Sequence, residues 1–456
     1  MDKKLSVLIK EKIGKFNKTI KIPADKSCSI RALLIASQCM GVSNIKNLHI
    51  QSEDVLDCFK ILTTKLGVKI VKSRDGIYKV YGNGLNSFRI KNKLTRIFVG
   101  NSLTTCRLLC GLLATYPNKF YLYGDASANR RDMSRVIEPL EKIGASFSPK
   151  GASTMPLTIE GTSMPLAQNH IENRGSGQIK GMLLLNALSV AGETTIEERK
   201  ISRSHTEKFL QKISADIKIK KLKNKKGNLI SLRGQKNLFA FDYTVGSDPS
   251  SAAFFIALTL LTPGSKLIMH NVLCDPTRRG FIKVLKEKMN ANIKIKKLRR
   301  SSSNNELMGT IVVKSSSLKP LSLPKKLIGS LIDEMPILVV IASLTNGISK
   351  LQNINEATKK ESNRIQETHK ILAQAGIKCK STKDSMIIYG KEKMNFKNKS
   401  IVCRARGDHR ISMSACIFSL VTGIKTKINN FETINTSFPE FSSLIKRLGG
   451  KIVEIK

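Results

Sequence analysis

Six short polar segments in this 456-residue chain each stand just before a long apolar run. They are Asp25-Lys26-Ser27 with Arg31 a turn later, Asn101 to Thr105 with Arg107, Ser176-Gly177-Gln178 with Lys180, Asp248-Pro249-Ser250-Ser251, Asp333-Glu334, and Asp408-His409-Arg410. If the apolar runs are helices, these residues occupy N-termini, where free N–H groups and the helix dipole favour anions. Ser, Asp and Asn there are also ordinary N-caps, worth about 1 kcal/mol each. Capping does not account for Lys26, Arg31, Arg107 or Arg410, because a cation beside a positive helix end is disfavoured unless an anion lies between them. Three more basic residues, Arg131 in DASANRRDM and Lys360 and Arg364 in KKESNR, fall in connecting loops. The chemistry indicated is recognition of a substrate set that carries several negative charges.

The elements that must position these residues form a repeat. The apolar runs are SIRALLIASQCMG, LTTCRLLCGLLATYPN, QIKGMLLLNALSVAG, SSAAFFIALTLLTPG, LIDEMPILVVIASLTNG and DHRISMSACIFSLVTG. Their closing turns fall at Gly41, Asn118, Gly192, Gly264, Gly347 and Gly423, at intervals of 77, 74, 72, 83 and 76 residues. A second set of helix ends, at Gly67, Gly144, Ser214, Asn290, Gly376 and Gly449, follows those turns by 26, 26, 22, 26, 29 and 26 residues, each before a β-rich run. The spacing predicts six αβαβ units, with first helices apolar all round and therefore buried, and second helices amphipathic. Three units per domain would surround three buried helices, and two such domains would face each other across an anionic ligand. The stretch Lys4 to Lys21 precedes the first repeat and is left to pair elsewhere. One domain is therefore discontinuous: 1–22 with 246–456, around an inserted 23–245, with crossovers near 22–24 and 244–247.

Composition sets outer bounds. A 41% hydrophobic content supports a sizeable core, and no apolar run of about 18 residues suggests a membrane span. The opening MDKKLSVLIKEKIGKF lacks the apolar stretch of a secretory signal, so a cytoplasmic location is expected. Lys and Arg number 78 against 34 Asp and Glu, a net charge of +44 that taken alone would suit nucleic acid or anionic lipid. The lysines are scattered, as in Lys218 to Lys226 and Lys391 to Lys399, and aromatics for base stacking are only 5%, which favours a solvated basic surface and no nucleic-acid partner. Nine cysteines without a C-x-x-C, and six histidines, support neither a disulfide framework nor a metal site. Cys106, beside Arg107, is readable as a reactive thiol or as core.

The same residues carry a resemblance to the 5-enolpyruvylshikimate-3-phosphate synthases. IPADKSCSIRALLIA is similar to that family's P-G-D-K-S-x-S-x-R opening, GNSLTTCRLL to G-N-(A/S)-x-T-x-x-R, and GDASANRRDM to G-D-x-S-L-x-x-R-P-M. SRSHTEKFL, GSDPSSAAFF, DPTRRGFI, LIDEMPIL, KKESNR, GDHRISM and TSFPEF follow in the family's order. The resemblance implies an α/β, two-domain enolpyruvyl transferase fold, each domain three βαβαββ units around buried parallel helices, acting as a monomer without metal or organic cofactor. It implies transfer of the enolpyruvyl group of phosphoenolpyruvate to the 5-hydroxyl of shikimate 3-phosphate. Shikimate 3-phosphate contacts carry over to Lys26, Ser27, Arg31, Ser176, Gln178, Ser202, Asp333 and Lys360. Phosphoenolpyruvate contacts carry over to Lys26, Leu103, Arg131, Gln178, Arg364 and Arg410. The reaction needs a base for the 5-hydroxyl and an acid for the vinyl methylene. Asp333 is assigned the first role and Glu361 the second, with Lys26 assisting and neutralising developing charge.

Against the family pattern, Ala24 replaces a turn Gly and would be strained at positive φ, Cys28, Ile30, Asp132 and Asn363 depart without loss of a named charge, and Thr436 stands where many members have Lys. Leu103 stands where Gly or Ala is usual, and its bulk is expected to exclude glyphosate, which is longer than phosphoenolpyruvate. The UDP-N-acetylglucosamine enolpyruvyl transferases share this architecture but open on a K-N-A-A-L-P-like segment and use a loop Cys acid, both missing here. An RNA-binding protein of related repeat architecture is the alternative from a different class, suggested only by the charge.

Overall fold

The structure, a computed structural model, describes residues 5–223, 226–301, 306–391, 396 and 400–455. Parts of the lysine runs 218–226 and 391–399, and Lys4, lie outside them. The chain divides into two compact units: Met1–Pro23 with Gly246–Arg299 and Glu306–Lys456, and Ala24–Val245 with Arg300–Asn305. The second is called the inserted unit here and the first the outer unit.

The six apolar runs are helices, numbered here α1 (Lys26–Ala36), α2 (Leu103–Leu113), α3 (Gly177–Ala187), α4 (Pro249–Leu261), α5 (Met335–Ser343) and α6 (His409–Thr422). Each is buried on nearly every face; in α6, His409 through Val421 are all buried. Helices apolar all round are stable only inside a domain, and each unit wraps three of them in three sheets. In the inserted unit α2 and α3 approach so closely that a Cβ on Gly111 would lie 2.3 Å from the Met182 carbonyl oxygen, and Asn186 Nδ2 donates to the Gly111 carbonyl at 3.0 Å. Only glycine permits that backbone contact.

Five of the six sheets follow one plan. In the inserted unit Leu94–Phe98 runs parallel to Lys119–Tyr123, which is antiparallel to Leu157–Glu160, with Ser146–Ser148 at the edge. Asn169–Glu172, Glu193–Glu198, Asn228–Arg233 and Asp216–Lys221 repeat the order. The sheet of the first repeat, also in the inserted unit, draws its parallel edge strand, Asp242–Thr244, from the end of the insertion, where it pairs with Met40–Lys46.

The stretch ahead of the first repeat gives two strands. Asn17–Ile20 pairs parallel with Lys266–Leu273, whereas Ser6–Ile9 lies between Lys425–Asn429 and Val453–Ile455 and pairs antiparallel with both. The fifth sheet has three strands, Gly347–Gln352, Ser385–Gly390 and Cys379–Ser381, and its parallel neighbour shrinks to a bridge between Ser322 and Lys350. Pro320 and Pro324 flank that bridge, and proline has no N–H to extend a ladder.

All six second-helix ends, Gly67, Gly144, Ser214, Asn290, Gly376 and Gly449, have positive φ, as a left-handed helix stop requires. Of the first set, Asn118 alone turns without it. Ala24 keeps a negative φ, so replacing the family's glycine strains nothing there. None of the nine cysteines forms a disulfide and eight are buried; Cys106 is in the core, its Sγ 3.5 Å from Met155 Sδ, which settles its role as packing. Among the described residues no helix is long and apolar enough to cross a membrane.

Candidate active site

Capping is what the structure shows at most of the helix N-termini. Asp25 accepts the Cys28 N–H at 2.8 Å, Ser102 that of Thr105 at 3.2 Å, Ser176 that of Ile179 at 3.3 Å, and Asp408 that of Arg410 at 3.0 Å, so these side chains are caps. At α4 the polar residues are consumed internally. Asp248 caps the helix and forms a buried pair with Arg278 at 2.9 Å, while Ser250 donates to the buried Glu334. α5 has no side-chain cap and is entered through a 3₁₀ turn, Ile332–Glu334, which carries Asp333.

The inserted unit gathers Lys26, Ser27, Arg31, Gln178, Ser176 and Ser202 near the starts of α1, α2 and α3. Lys26 Nζ lies 2.7 Å from Asp54 Oδ2, a partner that sequence spacing gave no reason to expect. Arg31 is 4% exposed, and its guanidinium donates to Thr206 Oγ1 at 3.0 Å, the Ser27 carbonyl at 3.0 Å and the Gly177 carbonyl at 3.3 Å. It thus joins α1 to the first turn of α3. Burial lowers the Arg31 pKa; Cys28, Asp25 and Glu207 oppose the shift and Arg203 adds to it. Arg203, unassigned from sequence although it follows Ser202 in SRSHTEKFL, is therefore a second cation beside Arg31.

Gln178 is oriented at both ends: its Oε1 accepts from Arg107 at 2.7 Å and its Nε2 donates to Thr104 Oγ1 at 2.9 Å. Arg107 also donates to the Asp132 carbonyl at 2.7 Å. Its pKa is drawn down to about 9, first by burial and then by repulsion from Arg131 and Arg135. It stays charged at neutral pH, so three guanidiniums crowd one region, an arrangement that an anion relieves. Arg131 itself is half-buried. Leu103 opens α2 and is 2% exposed.

The outer unit assembles its group around Arg364, the first residue of the helix Arg364–Gln374. The Arg364 side chain is 1% exposed; Nε lies 2.9 Å from Asp408 Oδ2, Nη1 lies 3.4 Å from Asp333 Oδ1, and Nη2 donates to Glu361. Lys360 Nζ approaches the same Asp333 oxygen at 3.1 Å. Burial alone would lower the Arg364 pKa, but Asp408, Glu361 and Asp333 override it and hold it above its ordinary value. Ser362 Oγ also donates to Asp408 at 2.9 Å, so that one carboxylate caps α6 and anchors Arg364. Arg410 is 9% exposed in the first turn of α6, and Thr436 Oγ1 lies 3.4 Å from His409 Nδ1. Asp333, Lys360, Glu361 and Arg364 thus form one contact group in one unit. Lys26, Ser27, Arg31, Leu103, Arg131, Ser176, Gln178 and Ser202 belong to the other.

The family model described as EPSP synthase (3-phosphoshikimate 1-carboxyvinyltransferase) matches residues 10–445. The 3-phosphoshikimate 1-carboxyvinyltransferase of Afipia carboxidovorans is 34% identical over 434 residues, 95% of each chain. The Petrotoga mobilis protein of that name is 36% identical, covering 95% of this chain and 97% of its own. Among solved structures, an EPSP synthase from Acinetobacter baumannii superposes with a TM-score of 0.83 at 31% identity, over 99% of this chain and 100% of its own. The enolpyruvyl transferase NikO from Streptomyces tendae gives 0.75 at 11% identity over 99% of each chain, a likeness of fold alone. With the match running through both units and their charged groups, the chain belongs to the EPSP synthase (3-phosphoshikimate 1-carboxyvinyltransferase) family.

Proposed function

We propose that the two groups serve one reaction, transfer of the enolpyruvyl group of phosphoenolpyruvate to the 5-hydroxyl of shikimate 3-phosphate, with release of phosphate. What carries the reading is the extent of the family match, residues 10–445, which takes in every residue assigned a role. In the addition step the 5-oxygen bonds to C2 of phosphoenolpyruvate, its proton passes to Asp333, and C3 gains a proton from Glu361. In the elimination step C3 returns its proton to Glu361, the bond from C2 to the phosphate oxygen breaks, the departing phosphate takes up the proton held by Asp333, and the enol ether and phosphate leave.

The geometry fits these roles. The base must begin as a carboxylate, and Asp333 has two cations within 3.4 Å. The acid must arrive protonated, yet Glu361 is paired with Arg364. The carboxylate of phosphoenolpyruvate, assigned to the same guanidinium, competes for it and frees Glu361 to carry the proton. Arg131 and Arg410 add positive charge for the phosphoenolpyruvate anion, and Lys26 meets charge developing in the transition state. Ser27, Arg31, Ser176, Gln178, Ser202 and Lys360 hold shikimate 3-phosphate. In the same reading the enzyme works as a cytoplasmic monomer, and light scattering should give a mass near 50.5 kDa.

A coupled phosphate assay with the two substrates is the direct test. Lys26→Met and Arg131→Ala should each lower kcat/KM by about 100-fold or more, with circular dichroism unchanged. Near-normal turnover in both would overturn the assignment.

A further inference from the structure

Behind Ser176, Gln178 and Ser202 in the inserted unit lies a set of buried charges to which the reaction assigns no role. Lys180, in α3, has a side chain 1% exposed, and its Nζ lies 2.5 Å from Glu198 Oε1 and 2.6 Å from Glu207 Oε1. Glu198 ends the strand Glu193–Glu198, and Glu207 lies in the first turn of the helix His205–Lys212. One ammonium group thus ties three elements together.

Glu198 in turn holds Ser202. Its Oε1 accepts the Ser202 N–H at 2.9 Å and the Ser202 hydroxyl at 2.7 Å, and its Oε2 accepts from Asn228 at 2.9 Å. On the neighbouring parallel strand, in register with Glu198, Glu172 does the same for the loop leading to Ser176, accepting the N–H groups of Arg174 at 3.1 Å and Gly175 at 2.8 Å. Two adjacent strand-end carboxylates therefore hold the two serine-bearing loops. Among the described residues only Glu198 has a lysine partner. Burial raises Glu198, but Lys180, Asn228 and Ser202 outweigh it and leave it below the ordinary range, whereas burial leaves Glu172 raised despite its backbone donors. Glu207 extends the group towards Arg31, which feels its charge and donates to the adjacent Thr206.

We propose that Lys180 is a positioning residue for the phosphorylated shikimate: by keeping Glu198 charged within this buried cluster, it fixes the Ser202 loop and the start of α3 for that substrate. It touches no substrate itself. The proposal rests on the reading of Ser176 and Ser202 as shikimate 3-phosphate ligands. Removing one member of a buried ion pair strands the other charge, and Glu198 relieves this by taking up a proton.

Calorimetric titration of shikimate 3-phosphate into the wild type, Lys180→Met and Glu198→Gln, between pH 6 and 9, tests this without requiring turnover. Both variants should weaken binding by about tenfold or more at pH 7. Lys180→Met alone should acquire a pH dependence, and the KM for phosphoenolpyruvate should move by less than about twofold. Unchanged affinity in Lys180→Met with a lowered thermal midpoint overturns the proposal, as does an equal loss for both substrates. If Lys180→Met does not fold, unchanged affinity in Glu198→Gln is enough to reject it. A wild type that binds shikimate 3-phosphate but releases no phosphate with phosphoenolpyruvate sinks the reaction, while the same titrations still decide the role of Lys180.

Discussion

Leu103 is the residue whose identity bears most on inhibitor response. It is 2% exposed at the first position of α2, so its bulk is fixed there rather than free to swing into solvent. The wild type should resist glyphosate, and Leu103→Gly should lower the glyphosate Ki against phosphoenolpyruvate by about tenfold or more, as removal of several carbons from a small pocket allows. Strong competition in the wild type would refute this. The motifs gave Lys26, Arg31, Asp333, Lys360 and Arg364, because each stands at a fixed offset from a helix start. Asp54, Arg107 as the clamp on Gln178, Arg203 and Glu198 were not assigned: the sequence separations of 28 between Lys26 and Asp54 and 71 between Arg107 and Gln178 follow from sheet and helix packing, not from any local period.

At the scale of elements, turn chemistry carried the signal. The residues at the six second-helix ends adopt the positive φ that Gly and Asn tolerate, and even Ser214 does so at 59°. Strand partners were harder to read, since a four-residue strand such as Ser6–Ile9 carries no mark of which sheet it joins. One strand supplies a pH test. His170 points inward from Asn169–Glu172, is 8% exposed, and its Nε2 has no hydrogen-bond partner among the described residues. Burial, then Lys142, lowers its pKa to about 4. The unfolded chain binds this proton near pH 6.5 and the folded chain only near 4, so its contribution to stability is full above pH 6.5 and is lost as pH falls through that window. The loss is at most about 3 kcal/mol. His170→Leu should flatten the fall in thermal midpoint between pH 6.5 and 4.5; an unchanged slope would assign that fall to other groups.

For the whole molecule, the +44 charge is the property least tied to the fold. Its field favours approach of two anionic substrates and costs self-repulsion. The two units differ in how they are closed. The inserted unit has all its strands between Met40 and Thr244, whereas the outer unit takes Ser6–Ile9 and Asn17–Ile20 from the start of the chain and Val453–Ile455 from its end. Deleting residues 1–22 should leave the Ala24–Val245 segment resistant to limited proteolysis while the outer unit is digested; equal digestion of both would contradict this. The placement of Ser6–Ile9 also sets an order of events at the ribosome. The middle of the polypeptide can reach its native form while the last third is still being translated, but the opening strand has to wait, unpartnered on one side, until residues 453–455 emerge. Ser6–Ile9, translated long before either of its partners, is thus among the last of the described strands to be locked in place.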